Sequence, residues 1–154
     1  MTINNLTTSS HEDGKALSAY QGYVLNSKIH FTVQTANFNE KNIANATNTE
    51  LGTITLAAGK WILIATARCQ GTAAINNRFA GIISTAAASS WTAIDRFSTW
   101  TVSLDPAGPT VYIPGFCVTA VSPTASTTYR LHVYQNSGST KTISLAGMLA
   151  IKVG

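Results

Sequence analysis

From Leu51 to the end of the chain, apolar residues recur at every second position, and no stretch between these runs carries a helical spacing. Ile54 and Leu56 alternate with Thr53 and Thr55. Trp100, Val102 and Leu104 alternate with Thr99, Thr101 and Ser103, and Tyr129, Leu131 and Val133 alternate with Arg130, His132 and Tyr134. A period of two places one set of side chains in a core and the other in water, the mark of half-buried antiparallel strands. Parallel β/α architectures need a helix between successive strands, so they are excluded and a sandwich or jelly roll of seven or eight strands is predicted. Turn-forming clusters at 58–59, 71–77, 86–90, 105–109, 122–123 and 136–138 separate the strands.

Three runs are apolar at both parities, 60–69, 78–84 and 111–121. They predict strands covered on both faces, by a second sheet inside and by another subunit outside. In the last strand, 142–153, alternation assigns Ile143, Leu145, Leu149 and Ile151 to one face. Thr142, Ser144, Ala146 and Ala150 fall on the other, a small-residue face that permits close approach of a neighbour.

Upstream, the period changes. Leu17, Tyr20, Val24, Ser27 and Phe31 are spaced three, four, three and four apart, a heptad stripe widened by Leu25 and Ile29. Asp13 can cap the first turn, and Lys28 suits the C-terminal end of the dipole. A helix of about 15 residues is marginal alone, so the stripe must pack. It either docks on its own domain or forms a short parallel coiled coil, the reading preferred here, with Leu17, Tyr20, Val24 and Phe31 as the stem positions. The predicted organisation is an extended lead-in over 1–14, a helical stem over 15–31, a linker or first strand over 32–50 and a β head over 51–154.

Only 10% of residues are charged, while Thr 22, Ser 14 and Asn 11 make up 47 of 154, so the surface is built from hydroxyls and amides. Low charge with 45% apolar content is the opposite of a disordered composition. Residues 1–51 hold three bases and four acids, whereas 52–154 hold seven bases and two acids. Those bases are scattered singly, which gives no groove for nucleic acid. The longest apolar run, 61–65, is far short of the roughly 20 residues of a membrane span, and no secretion leader opens the chain, so membrane insertion is not expected. Two cysteines, Cys69 and Cys117, form no disulfide framework, although nothing in the sequence forbids their pairing.

Catalytic constellations are thin. Glycoside hydrolysis uses two carboxyl groups about 5–9.5 Å apart, and the head offers Asp95 and Asp105 alone. His132 is its one histidine, on a strand face with Arg130 and Tyr134 that suits a surface or interface role, and no G-x-S-x-G elbow occurs. His11, His30 and His132 show no metal-ligand spacing, and no phosphate-cradling glycine motif is present, so no metal, cofactor or enzymatic activity is expected. Binding is better supplied. The segment 90–100 concentrates Trp91, Asp95, Arg96, Phe97 and Trp100, and aromatic faces with planar polar groups suit sugar rings. Trp100, in phase with Val102 and Leu104, reads as core; Trp91, Asp95 and Arg96 are the preferred receptor-binding residues. Asn76, Asn77 and Arg78 are the next, and 122–128 supplies only small hydroxyls. Tyr112, Phe116 and Tyr134 fit packing between subunits as well.

The segment 15–29, KALSAYQGYVLNSKI, resembles the ALSA-Q-G-x-x-L-x-x-x-I helix of bacteriophage tail fibres and baseplate receptor-binding proteins, found just upstream of their heads. Strand residues 51–69, with GTITLAAGKWI at 52–62, and the ending 129–154, with YQNSGS at 134–139 and LAIK at 149–152, resemble those heads. The middle, 71–121, carries no such likeness, so no ligand contact transfers. The resemblance implies an all-β antiparallel jelly roll like tumour necrosis factor and the globular head of the first complement component, homotrimeric on a short N-terminal α-helical coiled-coil stem. It further implies a receptor-binding protein at the virion's tail tip, made in the host cytoplasm, joined to upstream fibre or baseplate proteins. Such a head attaches the virion to a bacterial surface saccharide or other envelope receptor by multivalent, non-covalent binding. Two alternatives stand beside it: a trimerisation and capping module without receptor contact, and a glycan-cleaving enzyme with a site between subunits.

Overall fold

A computed structural model describes residues 32–72, 77–87, 95–101 and 110–153, with side chains for 32–70, 79–87 and 112–153. The stem positions Leu17, Tyr20, Val24 and Phe31 lie outside the described residues. Nine strands are present among those described: β1 (Val33–Phe38), β2 (Lys41–Ile43), β3 (Thr49–Leu56), β4 (Trp61–Thr72), β5 (Asn77–Ser84), β6 (Asp95–Thr101), β7 (Thr110–Val121), β8 (Thr127–Gln135) and β9 (Lys141–Lys152). The stretch 32–50 thus supplies β1, β2 and the start of β3.

The strands form two antiparallel sheets. One has five strands in the order β1-β9-β4-β7, with β2 also on β9; the other has four, in the order β3-β8-β5-β6. Alternation explains the layering. Ile54, Leu56, Leu63, Ala65, Phe79, Ile83, Tyr129, Leu131 and Val133 meet between the sheets as one apolar core, while Thr55 faces water. Trp61 closes one end of that core, its indole N–H donating to the Ala57 carbonyl at 3.0 Å.

Two expectations are corrected. In β9 the phase breaks at Leu145, which sits at φ 48° where the register with β4 shifts between Thr66 and Arg68. A bulge adds one residue and swaps the faces beyond it. Ile143 is buried, Leu145 is 70% exposed, and then Ala146, Met148 and Ala150 face the core while Leu149 and Ile151 turn outward. The doubly apolar runs also divide. In β5, Phe79 through Ser84 are buried at both parities within the chain itself, whereas β4 and β7 bury one parity only. Cys69 and Cys117, whose pairing the sequence leaves open, are buried and form no disulfide: Cys69 lies opposite Ile113 and Cys117 opposite Ala65, four residues apart along the ladder.

The connections sort into two ends. Lys152 N donates to the Thr32 carbonyl at 2.8 Å, Val153 N to the Lys60 carbonyl at 2.8 Å and Gly59 N to the Pro123 carbonyl at 3.0 Å. The chain therefore enters at Thr32 and leaves at Val153 beside the links 57–60 and 122–126. Links 44–48 and 136–140 lie at the other end, about 40 Å away along the 12 residues of β4.

Candidate functional site

Of the residues expected to bind a receptor, Asn77, Arg78, Asp95 and Arg96 fall on described strands. Trp91 and Asn76 lie outside the described residues, as does Asp105. In the β5–β6 ladder, Asn77 pairs with Thr101 and Arg78 with Trp100, while Ile82 pairs with Arg96 and Ile83 with Asp95. Antiparallel pairing sets Arg78 four residues, roughly 13 Å, from the level of Arg96. Asn77 and Arg78 stand toward the end formed by links 44–48 and 136–140, and Asp95 and Arg96 toward the other half of the ladder.

The five-stranded sheet presents an outer face that nothing in the described chain covers. Directly paired residues share a face, so its composition can be read row by row. One row is Val33, Ile151, Ile62 and Ala120; the next is Thr35, Leu149, Ile64 and Val118; the third is Asn37, Gly147, Thr66 and Phe116. Phe116 is 69% exposed, and Val33, Ile62 and Val118 are exposed with it. Toward the far rim the face turns polar. Arg68 donates from Nε to Ser144 Oγ at 3.1 Å, and its guanidinium lies 4.2 Å from the Tyr112 ring centre. Arg68 is the ionic side chain of this rim, and the three rows above it carry no charge, the first two being almost wholly apolar. Gly147, which has no side chain, leaves a depression of about 240 Å³ lined by Thr35, Asn37, Ile64, Thr66, Met148 and Leu149. The both-parity run 111–121 was the sequence signal for this face; the depression had none, because a bulge moved β9 out of phase.

A second cluster lies on the outer side of the four-stranded sheet. Glu50 Oε2 accepts from Arg130 Nη1 at 2.9 Å and stands 3.6 Å from His132 Nε2. Lys41 Nζ donates to the Glu50 carbonyl at 2.7 Å. His132 is fully buried, as is Ile82 paired with it, contrary to the surface or interface role that strand alternation suggests. Among the described residues, neither ring nitrogen of His132 has a hydrogen-bond partner, nor does Arg130 Nε. Burial pushes the His132 pKa below 6.5, and the nearby Glu50 carboxylate opposes this only in part. Among the described residues, no three His, Cys, Asp or Glu side chains gather to hold a metal ion, and no helix is long and apolar enough to cross a membrane.

No protein-family model matches the chain, and no curated protein matches it. Its likenesses are structural. The Eiger TNF from S. frugiperda superposes with a TM-score of 0.54 at 9% identity, covering 80% of this chain and 93% of that one. The VP2 subviral particle protein of infectious bursal disease virus superposes with a TM-score of 0.50 at 14% identity over 81% of this chain; the chain spans about a third, 33%, of VP2. These likenesses to a tumour necrosis factor and a viral capsid protein, with two antiparallel sheets and no helix among the described residues, make the fold an all-β jelly roll.

Proposed function

We propose that the chain is the receptor-binding head of a bacteriophage tail fibre or baseplate protein, a homotrimer that attaches the virion to a bacterial surface saccharide. The open apolar face of the five-stranded sheet carries this reading. A contiguous apolar surface with almost no charge is costly to leave in water and marks an interaction site, and a second and third copy of the same chain supply matching faces. The stem pattern over 15–29 and the jelly roll agree with that assembly. Attachment then works by avidity: weak single sites linked in threes bind as an ensemble, and no bond is made or broken in the receptor.

The test is the native mass in solution together with adhesion. Light scattering should give about three times 16.3 kDa, and the purified chain should bind host cells and compete with the phage for them. A stable monomer removes the fibre reading. A trimer that neither binds cells nor competes assigns the head to capping instead.

A further inference from the structure

The geometry points to the end of the sandwich formed by links 44–48 and 136–140 as a preorganised hydrogen-bonding platform for a neutral saccharide. It deepens the adhesin reading and rests on it.

Topology comes first. The chain enters at Thr32 and leaves at Val153 at one end, so whatever is joined to the sandwich along the chain joins there. Two described links, 44–48 and 136–140, meet at the opposite end.

Those links are held in place from within. Gln135 is buried, and its Nε2 donates to the Ile43 carbonyl at 3.3 Å and the Ser139 carbonyl at 2.8 Å. Its Oε1 accepts from Ser137 N at 2.8 Å and Ser137 Oγ at 2.6 Å. Across the gap, Gly138 N donates to Asn45 Oδ1 at 2.7 Å, and Ala46 N donates to the Gln135 carbonyl at 2.8 Å. Ala46 is held at φ 54°, a left-handed conformation an alanine adopts only where its surroundings fix it. One buried amide thus ties both links together. A surface ordered before binding loses little entropy on binding.

Chemistry selects the occupant. Links 44–48 and 136–140 contain Asn, Thr, Ser, Ala and Gly and no ionisable residue. Asn45, Thr47 and Ser139 are exposed, and the Asn45 side-chain NH2 has no partner among the described residues. Amides and hydroxyls match the hydroxyls of a neutral sugar, and the two links themselves bring no charge that would draw an anionic polymer. The platform also lies toward the Asn77 and Arg78 end of β5 rather than the Asp95 and Arg96 end.

A site-directed blockade tests it. Cys69 and Cys117 are buried, and burial holds the Cys69 thiol up at about 11, so maleimide-linked polyethylene glycol will label only an introduced thiol. Ser139→Cys places the label on the platform; Ser126→Cys places it at the opposite end. The full chain is read against an array of neutral and acidic bacterial envelope saccharides and against whole bacteria. The label at position 139 should cut neutral-saccharide binding about tenfold or more, and that at 126 should leave it within about twofold. Asn45→Asp keeps the acceptor for Gly138 N while deleting the NH2 donors, so it should weaken binding about tenfold with Tm unchanged. Binding that survives the label at 139, falls with the label at 126, or is confined to acidic saccharides overturns the platform. A chain that adheres to bacteria but binds no saccharide also overturns it and leaves adhesion standing; a chain that adheres to no bacteria removes the adhesin reading beneath it.

Discussion

Phe116 and Gly147 stand in one cross-strand row on the open face of the five-stranded sheet, one on each side of Thr66. Neighbouring strands are about 4.8 Å apart, so a projecting ring and a depression lie roughly 10 Å from each other on the same surface. A knob and a hole on one face suit contact with further copies of that face.

If the copies meet here, Phe116 is the side chain with most to lose. Burying a phenylalanine contributes about 1.5–3 kcal/mol per copy. Phe116→Ser combined with Val118→Ser should shift the light-scattering mass from about three chains toward 16.3 kDa, with the far-UV circular dichroism of the β fold retained because neither residue is in the core. A mass unmoved by the double substitution would place the contact elsewhere.

Gly147 carries a separate, local demand. A Cβ there would come within 2.9 Å of the Ala36 carbonyl oxygen on β1. That oxygen is backbone and cannot swing aside, so β1 must move off β9. Gly147→Ala should cost about 1–3 kcal/mol, which lowers Tm by roughly 2–4 °C for each kcal/mol in a chain of this size. Faster amide exchange should appear in β1 and not in β7. An unchanged Tm would show that the edge strand gives way freely.

Clean alternation made part of this architecture legible. In β3 and β8, Ile54, Leu56, Tyr129, Leu131 and Val133 mark the core-facing side, and all five are buried; the opposite side of β8 is not wet, since His132 there is buried as well. β9 was not legible, because one inserted residue at Leu145 exchanges the faces and nothing in a run of Ala, Leu, Ser and Gly signals the insertion. The outward apolar parity of β7 was visible as composition, but a sequence does not say whether the cover comes from the same chain, as it does over Ile82, or from outside. The two candidate binding stretches, 76–78 and 90–100, were chosen by composition; sequence does not say that β5 and β6 pair, with Arg78 opposite Trp100 and Asp95 and Arg96 farther along.

His132 makes stability depend on pH. Its folded pKa is depressed by burial, with Glu50 opposing in part, so the unfolded chain binds the proton more readily. This contribution is fully present above about pH 6.5 and is lost as the pH falls through 6.5 toward the folded value, at a slope of up to about 1.4 kcal/mol per pH unit. Urea unfolding from pH 8 down to pH 5 should show the decline, and His132→Gln, which does not titrate there, should flatten it. A wild-type slope retained in His132→Gln would assign the proton uptake to another group.

Gln135 separates order at the free end from assembly of the face. Gln135→Leu removes the amide that serves the Ile43 and Ser139 carbonyls and the Ser137 N–H and hydroxyl, leaving the buried Ile43 carbonyl without this partner at about 1–3 kcal/mol and the half-buried and exposed serine groups to water. Gln135→Glu keeps the acceptor but loses both donors and buries a charge, so it should be the more damaging of the two. Limited proteolysis should then cut within 44–48 or 136–140 in Gln135→Leu while the light-scattering mass stays that of the wild type, because the five-stranded sheet's open face is untouched. Loss of the wild-type mass along with the links would mean that the free end and the shared face are one cooperative unit.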